Sequence, residues 1–235
     1  MSLFAISDLH LSLGSEKPMD IFGEHWKDHH LKLKENWEAS VDADDTVILG
    51  GDLSWAMKLE EARDDFNFVH SLPGKKVIFK GNHDYWWQSY AKVNEALPES
   101  IRAVQNNYFL YDDRIAICGT RGWMLPGGDN FSEQDRKVYK RELGRLELSL
   151  KKAESDGYNN IIAVFHYPPF TFNREEDGFT AIMRQFNVKI CLYGHLHGAD
   201  HQRAFSGEKD GIRYYFASSD YLKFNPLPID LSIFG

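Results

Sequence analysis

Five short segments of this chain carry side chains able to hold metal ions, and each follows an apolar run. They are Ser7-Asp8-Leu9-His10, Gly50-Gly51-Asp52, Gly81-Asn82-His83-Asp84, Phe165-His166 and Gly194-His195-Leu196-His197. Carboxylate oxygens and neutral imidazole nitrogens suit divalent transition metals such as zinc, manganese and iron. In an extended segment residues i and i+2 project to one side, so Asp8 with His10, and His195 with His197, would each offer a pair of ligands to one space. A carboxylate can bridge two ions, one oxygen to each, and Asn82 adds a neutral carbonyl oxygen that limits the negative charge. The glycines at 50, 51, 81 and 194 permit tight or positive-φ turns and close approach of the backbone. Asp8, His10, Asp52, Asn82, His166, His195 and His197 are the leading candidate metal ligands, with His83 a further candidate at this point. Each segment alone is weak: Asp-x-His and Gly-Asp are more often turns, and a histidine ending an apolar run is more often a satisfied core group. The order and number of the segments carry the reading. Five of the ten histidines (10, 83, 166, 195 and 197) fall within them. His25, His29, His30, His70 and His201 read as surface or supporting groups, with adventitious metal binding by His25, His29 and His30 as a lesser reading.

The elements that must position these groups are short. Apolar runs at Leu3–Ile6, Thr46–Leu49, Lys76–Phe79, Arg114–Cys118, Ile161–Phe165, Val188–Leu192 and Arg213–Ala217 suit strands covered on both faces. Between them Leu59, Ala62, Phe66 and Val69 recur at helical spacing, as do Trp86, Tyr90, Val93 and Leu97, and Leu143, Leu146, Leu150 and Ala153. The last set is preceded by a capping-box pattern from Ser132 to Asp135. Each stripe reads as the core face of a helix. Strands alternating with helices predict an α/β layered fold, and the closely spaced late strands favour mixed sheets over a fully parallel one. Ligand segments at strand ends could then converge on one pocket. A single domain over residues 1–235 is expected, with insertions near 11–44 (holding Phe22, Trp26 and Trp37) and 120–152.

Composition narrows the function classes. With 27 basic and 35 acidic residues the net charge is −8, a poor match for the clustered Lys and Arg that nucleic-acid backbones require. Apolar residues make up 43 % of the 235-residue chain, enough for a sizeable core and too many for a disordered chain. Cys118 and Cys191 sit in strand-like runs and read as two buried thiols rather than a disulfide framework. Met1–Ser7 lacks the features of a signal peptide, and no apolar run approaches membrane-spanning length. A cytoplasmic location, with no nucleic-acid or membrane partner, is the expectation.

In order and spacing these blocks resemble the calcineurin-like metallophosphoesterase superfamily, whose pattern runs D-x-H, G-D, G-N-H-[DE], H and G-H-x-H. The match is Asp8-Leu9-His10, Gly51-Asp52, Gly81-Asn82-His83-Asp84, His166 and Gly194-His195-Leu196-His197. The resemblance implies a four-layer α/β sandwich of two mixed β-sheets flanked by helices, with two divalent metal ions (Mn, Fe or Zn) at the strand ends. It further implies that Asp8, His10 and His197 hold one ion, that Asn82, His166 and His195 hold the other, and that Asp52 is shared. His83 would not be a ligand but a catalytic group facing substrate, as general acid or as stabiliser of phosphoryl charge. Asp84 would either orient His83 or cap the following helix. The chain departs from protein Ser/Thr phosphatases, which extend the second block as G-D-x-V-D-R-G and end the third in Glu. Here Leu53-Ser54-Trp55 follows Asp52, and the third block ends in Asp84. That favours the broad group of small bacterial-type phosphohydrolases.

The implied reaction is hydrolysis of phosphate esters by in-line attack of a metal-bridging hydroxide on phosphorus. The alternative is a phosphodiesterase acting on cyclic nucleotides or glycerophosphodiesters. A protein phosphatase, or a non-catalytic scaffold of the same fold, fits less well because every ligand and His83 are present. The expected partner is a small phosphorylated substrate, with Arg121, Trp123 and Tyr167 as candidate substrate contacts. The plainer reading of Arg121 is a surface salt-bridge residue, and that of Trp123 is core packing. The Gly127-Gly128 turn would help the second insertion overhang the pocket.

Overall fold

A computed structural model describes residues 1–14, 17–127, 131–171 and 177–235. Two mixed sheets form its centre. The first pairs β1 (Leu3–Ile6), β2 (Thr46–Leu49), β3 (Lys75–Ile78) and β4 (Ile101–Ala103) in parallel, with β11 (Leu227–Pro228) antiparallel beside β1. In the second, β6 (Ile115–Thr120), β7 (Asn160–Phe165), β8 (Ile190–Tyr193) and β10 (Ile212–Phe216) are parallel. Antiparallel β5 (Phe109–Tyr111) and β9 (Gly207–Lys209) close its edges.

Strand alternation explains the layering. Both faces of these strands are apolar, but they meet different neighbours. Leu3, Ala5, Ile48, Val77, Ile115, Ile117, Ile162 and Val164 share the core between the two sheets. Phe4, Ile6, Val47 and Leu49 turn the other way, into a core with Leu33 and Trp37 of α1 (His29–Ser40), Phe66 and Val69 of α2 (Arg63–Ser71) and Val93 of α3 (Tyr90–Ala96). Ala116, Cys118, Ile161, Ala163 and Phe165 pack against Leu146 and Leu150 of α4 (Glu133–Ser155) and Phe179 and Met183 of α5 (Gly178–Gln185). The result is a four-layer α/β sandwich: helices, sheet, sheet, helices.

Most expected strands shift by only a residue or two. The capping box at Ser132 forms, Ser132 Oγ accepting the Asp135 N–H and Asp135 accepting the Ser132 N–H. One stripe is corrected: α3 begins at Tyr90, and Trp86 lies in the turn before it, packed against Phe66 with its indole N–H satisfied by Asp84. Four strands were not anticipated, β4, β5, β9 and β11, all short and at sheet edges. The first insertion holds two 3₁₀ turns and α1. Gly128 lies outside the described residues. Cys118 and Cys191 are free and buried, and burial pushes the Cys118 thiol up to about 12. Among the described residues no helix is long and apolar enough to cross a membrane.

Candidate metal centre

All five ligand segments leave the carboxyl ends of parallel strands: β1, β2 and β3 in one sheet, β7 and β8 in the other. The ends of β1 and β10 join the two sheets there, since the Ser7 N–H donates to the Ala217 carbonyl at 2.7 Å.

The backbone in these segments is not the extended pair expected for Asp8 and His10. Asp8, His10, Asp52 and His195 all adopt left-handed φ, at 61°, 47°, 52° and 75°. The tails of β1 and β2 remain bonded beyond the strands, with Asp8 N–H on Gly51 O and His10 N–H on Asp52 O, both at 2.9 Å. Left-handed residues take these side chains out of the alternation a strand would impose, at a cost of about 1 kcal/mol each that the surrounding hydrogen bonds must overcome. Glycines supply clearance. A Cβ on Gly81 would collide with the backbone nitrogen and carboxylate of Asp52, and one on Gly194 with Ser7 Oγ and the Asp8 carboxylate.

Distances sort the seven side chains into two groups. His10 Nε2 lies 3.3 Å from His197 Nε2, and His197 Nε2 lies 3.6 Å from Asp8 Oδ1. His166 Nε2 lies 2.6 Å from Asn82 Oδ1 and 3.2 Å from His195 Nδ1. Asp52 Oδ2 stands between the groups, 3.8 Å from His10 Nε2 and 3.4 Å from His166 Nε2. Asp8, His10, Asp52 and His166 are all buried. Asp8 is also within ligand distance of both Asp52 and His166.

The donor set fits cations. His166 Nδ1 faces the Gly50 carbonyl at 3.2 Å, which can only accept, so Nδ1 carries the hydrogen and Nε2 presents a lone pair. That lone pair faces the oxygens of Asn82 and Asp52, which are themselves acceptors. Without a cation, protons take its place. Burial opposes the charged form of His166, but the Asp52 and Asp8 carboxylates outweigh it and raise its pKa. His197 is likewise opposed by burial and raised to about 10 by hydrogen bonds with Asp220 and Asp8. Burial drives His10 and His195 down to about 4 and about 3. Asp52 falls to about 2, burial being outweighed by the charge and hydrogen bond of His166. A site that gathers protons at these atoms can exchange them for metal ions.

His83 sits over this cluster. Its backbone N–H donates to Asp52 Oδ1 at 2.7 Å. Its half-buried ring lies 4.4 Å from the Trp55 ring and 5.9 Å from that of the exposed Tyr85. Burial lowers its pKa, so the ring is mostly neutral near pH 7. Trp55 also stacks on His10 at 4.9 Å, and Lys17 Nζ lies 4.4 Å above its ring. From the first insertion Trp26 meets His10 and His197 edge-on, and buried His29 bonds to the carbonyls of Trp26 and Leu9 at 3.0 Å each. His29 therefore supports the site from behind rather than lying on the surface.

Asp84 is committed to backbone groups and to Trp86. It is fully buried, and its two oxygens accept the N–H groups of Asp52, Leu53 and Gly81 at 2.9, 2.9 and 2.7 Å and the Trp86 indole at 3.0 Å. It ties the loop after β2 to the loop after β3. This corrects the expectation that Asp84, grouped with His83 as a catalytic candidate, orients His83 or caps the following helix; that helix, α3, is capped by Ser89. Arg121 is also committed elsewhere. Its guanidinium lies 3.3 Å from buried Glu142 and 4.4 Å over the Trp123 ring, while its carbonyl accepts the N–H groups of His166 and Tyr167. Trp123 donates to Asp135 at 3.0 Å and packs 5.2 Å from Tyr167. Of the three candidate substrate contacts, Tyr167 reaches the cluster, its ring 3.9 Å from that of His195.

Three residues that the sequence reading passed over complete the site: Ser218, Ser219 and Asp220. Ser218 Oγ donates to Asp8 Oδ2 at 2.8 Å, Ser219 Oγ to the Asp8 carbonyl at 2.6 Å, and Asp220 Oδ1 lies 3.0 Å from His197 Nδ1. The signal was present: this polar triplet follows the apolar run of β10 just as the other segments follow theirs.

Among solved structures the chain is similar to the phosphopantetheinyl hydrolase PptH of Mycobacterium tuberculosis. The TM-score is 0.57 at 16% identity, covering 92% of this chain and 88% of that one. TT1561 of Thermus thermophilus gives 0.55 at 16% identity over 90% and 86% of the two chains. The protein of unknown function AQ665 from Aquifex aeolicus gives 0.51 at 16% identity over 97% and 95%. These likenesses establish a shared fold. No curated protein matches the chain. The family model for calcineurin-like phosphoesterases matches residues 1–199. The chain belongs to the calcineurin-like phosphoesterase family.

Proposed function

We propose that this protein is a dinuclear-metal hydrolase of small phosphate esters. The observation that carries the reading is the sorting of seven ligand-type side chains into two groups joined by Asp52 Oδ2, with the lone pair of His166 Nε2 aimed at other acceptors. Asp8, His10 and His197 would hold one ion, Asn82, His166 and His195 the other, and Asp52 both. Two divalent ions supply an activated water and positive charge over the phosphoryl oxygens. Manganese, iron and zinc all suit these donors.

The protein's own groups do the rest. Asp52 fixes the backbone of His83, and the imidazole would then face a phosphoryl group bound at the ions. Being mostly neutral, His83 can donate an N–H to a phosphoryl oxygen or to the leaving oxygen as charge builds there. Trp55 packs against both His83 and His10 and keeps water from the face it covers.

A second reading, a phosphodiesterase, draws support from the rim. Trp55, Tyr85 and Tyr167 are flat and uncharged, and Arg121 is already paired with Glu142. Such a rim suits the second ester arm of a diester better than the dianion of a monoester. Assay of the manganese-loaded protein with para-nitrophenyl phosphate and its bis ester separates the two. Turnover of either supports phosphoester hydrolysis, a preference for the bis ester supports the second reading, and turnover of neither counts against both.

A further inference from the structure

The segment after β10 lies beyond residues 1–199, the part matched by the family model, yet it is built into the metal centre. Ser218 and Ser219 are fully buried. The Ser219 N–H donates to the Ser7 carbonyl at 2.9 Å, and Ser7 and Ser218 form a parallel bridge. The segment is thereby locked to the loop that carries Asp8. Its serine hydroxyls then bond Asp8 at Oδ2 and at the carbonyl. The next residue, Asp220, has a side chain only 1% exposed and holds His197 through Nδ1 at 3.0 Å. Its other oxygen accepts the Gly198 N–H at 3.3 Å and lies 3.1 Å from His201 Nε2.

Two of the three side chains in the first ligand group are thus gripped by one tripeptide. The group of Asn82, His166 and His195 touches the tripeptide only through Asp8, whose carboxylate accepts the His195 N–H at 3.0 Å; its side chains are held through Gly50 and through contacts among its own members. The bond to Asp220 also decides a tautomer. With its hydrogen on Nδ1, given to the carboxylate, His197 must turn the lone pair of Nε2 toward Asp8 and His10.

We propose that Ser218, Ser219 and Asp220 are positioning residues selective for one of the two metal positions, that of Asp8, His10 and His197, with Asp220 fixing His197 in the ligating tautomer. The inference rests on the dinuclear reading above. A rival arrangement uses the same atoms, since His197, His201 and Asp220 lie close enough to hold an ion of their own. That ion would take Nδ1 of His197 and leave Asp220 a ligand rather than an orienting acceptor.

The test is titration of manganese into metal-free wild type, Asp220→Asn, Asp220→Glu and Ser218→Ala, read by calorimetry and by electron paramagnetic resonance, with thermal melting of each metal-free protein. In wild type two ions should bind and show the spin coupling of a close pair. In Asp220→Asn the amide can donate to Nδ1 and reverse the tautomer. One of the two ions should then weaken by about 10- to 100-fold, the coupled signal should give way to that of a single ion, and the metal-free melting temperature should hold. Asp220→Glu should recover part of the affinity and Ser218→Ala should show a smaller loss at the same position. Equal weakening of both ions, or of neither, would overturn the proposal. So would a third ion in wild type that Asp220→Asn removes. Wild type that binds no manganese would instead count against the dinuclear reading itself.

Discussion

The Asp84 carboxylate accepts the backbone N–H of Asp52 at 2.9 Å and that of Gly81 at 2.7 Å through the same oxygen. One buried side chain therefore sets the spacing of two loops, one carrying the shared carboxylate and the other carrying Asn82 and His83. Burial and the neighbouring Asp52 charge push the Asp84 pKa up to about 6, against the pull of the N–H groups it accepts. Its replacement by alanine would leave several buried N–H groups without acceptors, each costing about 1–3 kcal/mol where no water can enter. Asp84→Ala should lower the unfolding free energy of the metal-free protein by on the order of 3 kcal/mol or more. Urea denaturation reads this directly, and an unchanged midpoint would show that Asp84 does not bracket the loops.

His83 should separate catalysis from metal binding. It approaches the cluster through its backbone bond to Asp52, and its ring is not part of either ligand group. His83→Ala should reduce kcat by about 10²- to 10³-fold, the range for removing one preorganised hydrogen-bond donor, and leave metal content intact. Because burial already holds its pKa below the ordinary histidine value, the wild-type kcat profile should show no alkaline fall centred near pH 6.5. A variant that loses metal would place His83 among the ligands instead.

Lys76 gives a stability signal well away from the ligands. It is a buried lysine in β3 that donates to the carbonyls of Leu72 and His70, and burial lowers its pKa from 10.5 to about 8. Below pH 8 both folded and unfolded chains carry the proton, and the folded chain bears the full cost of burying the charge. Between pH 8 and 10.5 the folded chain releases the proton first, so stability rises with pH; above 10.5 the cost is gone. The shift corresponds to about 3 kcal/mol. Relative to Lys76→Met, wild type should gain up to that amount between pH 8 and 10.5 in chemical denaturation. Parallel stability curves for the two proteins would contradict it.

Much of the candidate site was legible because its ligand-type side chains stand at strand ends whose apolar runs are easy to see. Asp8, His10, Asp52, Asn82, His166, His195 and His197 meet at one place because β1, β2 and β3 run parallel to one another in one sheet and β7 and β8 do so in the other. What escaped the sequence reading depends on tertiary contact. The left-handed backbone at Asp8 and His10 follows from pairing with the loop after β2. The sequence leaves Asp84 to orient His83 or cap the following helix, and only its hydrogen bonds reveal that it anchors two loops. Arg121 could face the pocket, but Glu142, on a helix turn twenty-one residues later, claims its guanidinium. The edge strands β4, β5, β9 and β11 are too short to show a period. Asp220 stands at a strand end visible in the sequence, but its bond to His197 depends on β10 lying parallel beside β8.

The central claim is a pair of metal ions joined by Asp52. Metal-free protein should be loaded with manganese, freed of excess by gel filtration, and its metal measured by mass spectrometry against protein concentration, alongside Asp52→Ala. The account predicts about two ions per chain in wild type and fewer in the variant, since two-metal phosphoester chemistry needs both positions filled. A wild-type value of one or none, or an Asp52→Ala protein that still holds two, would contradict it.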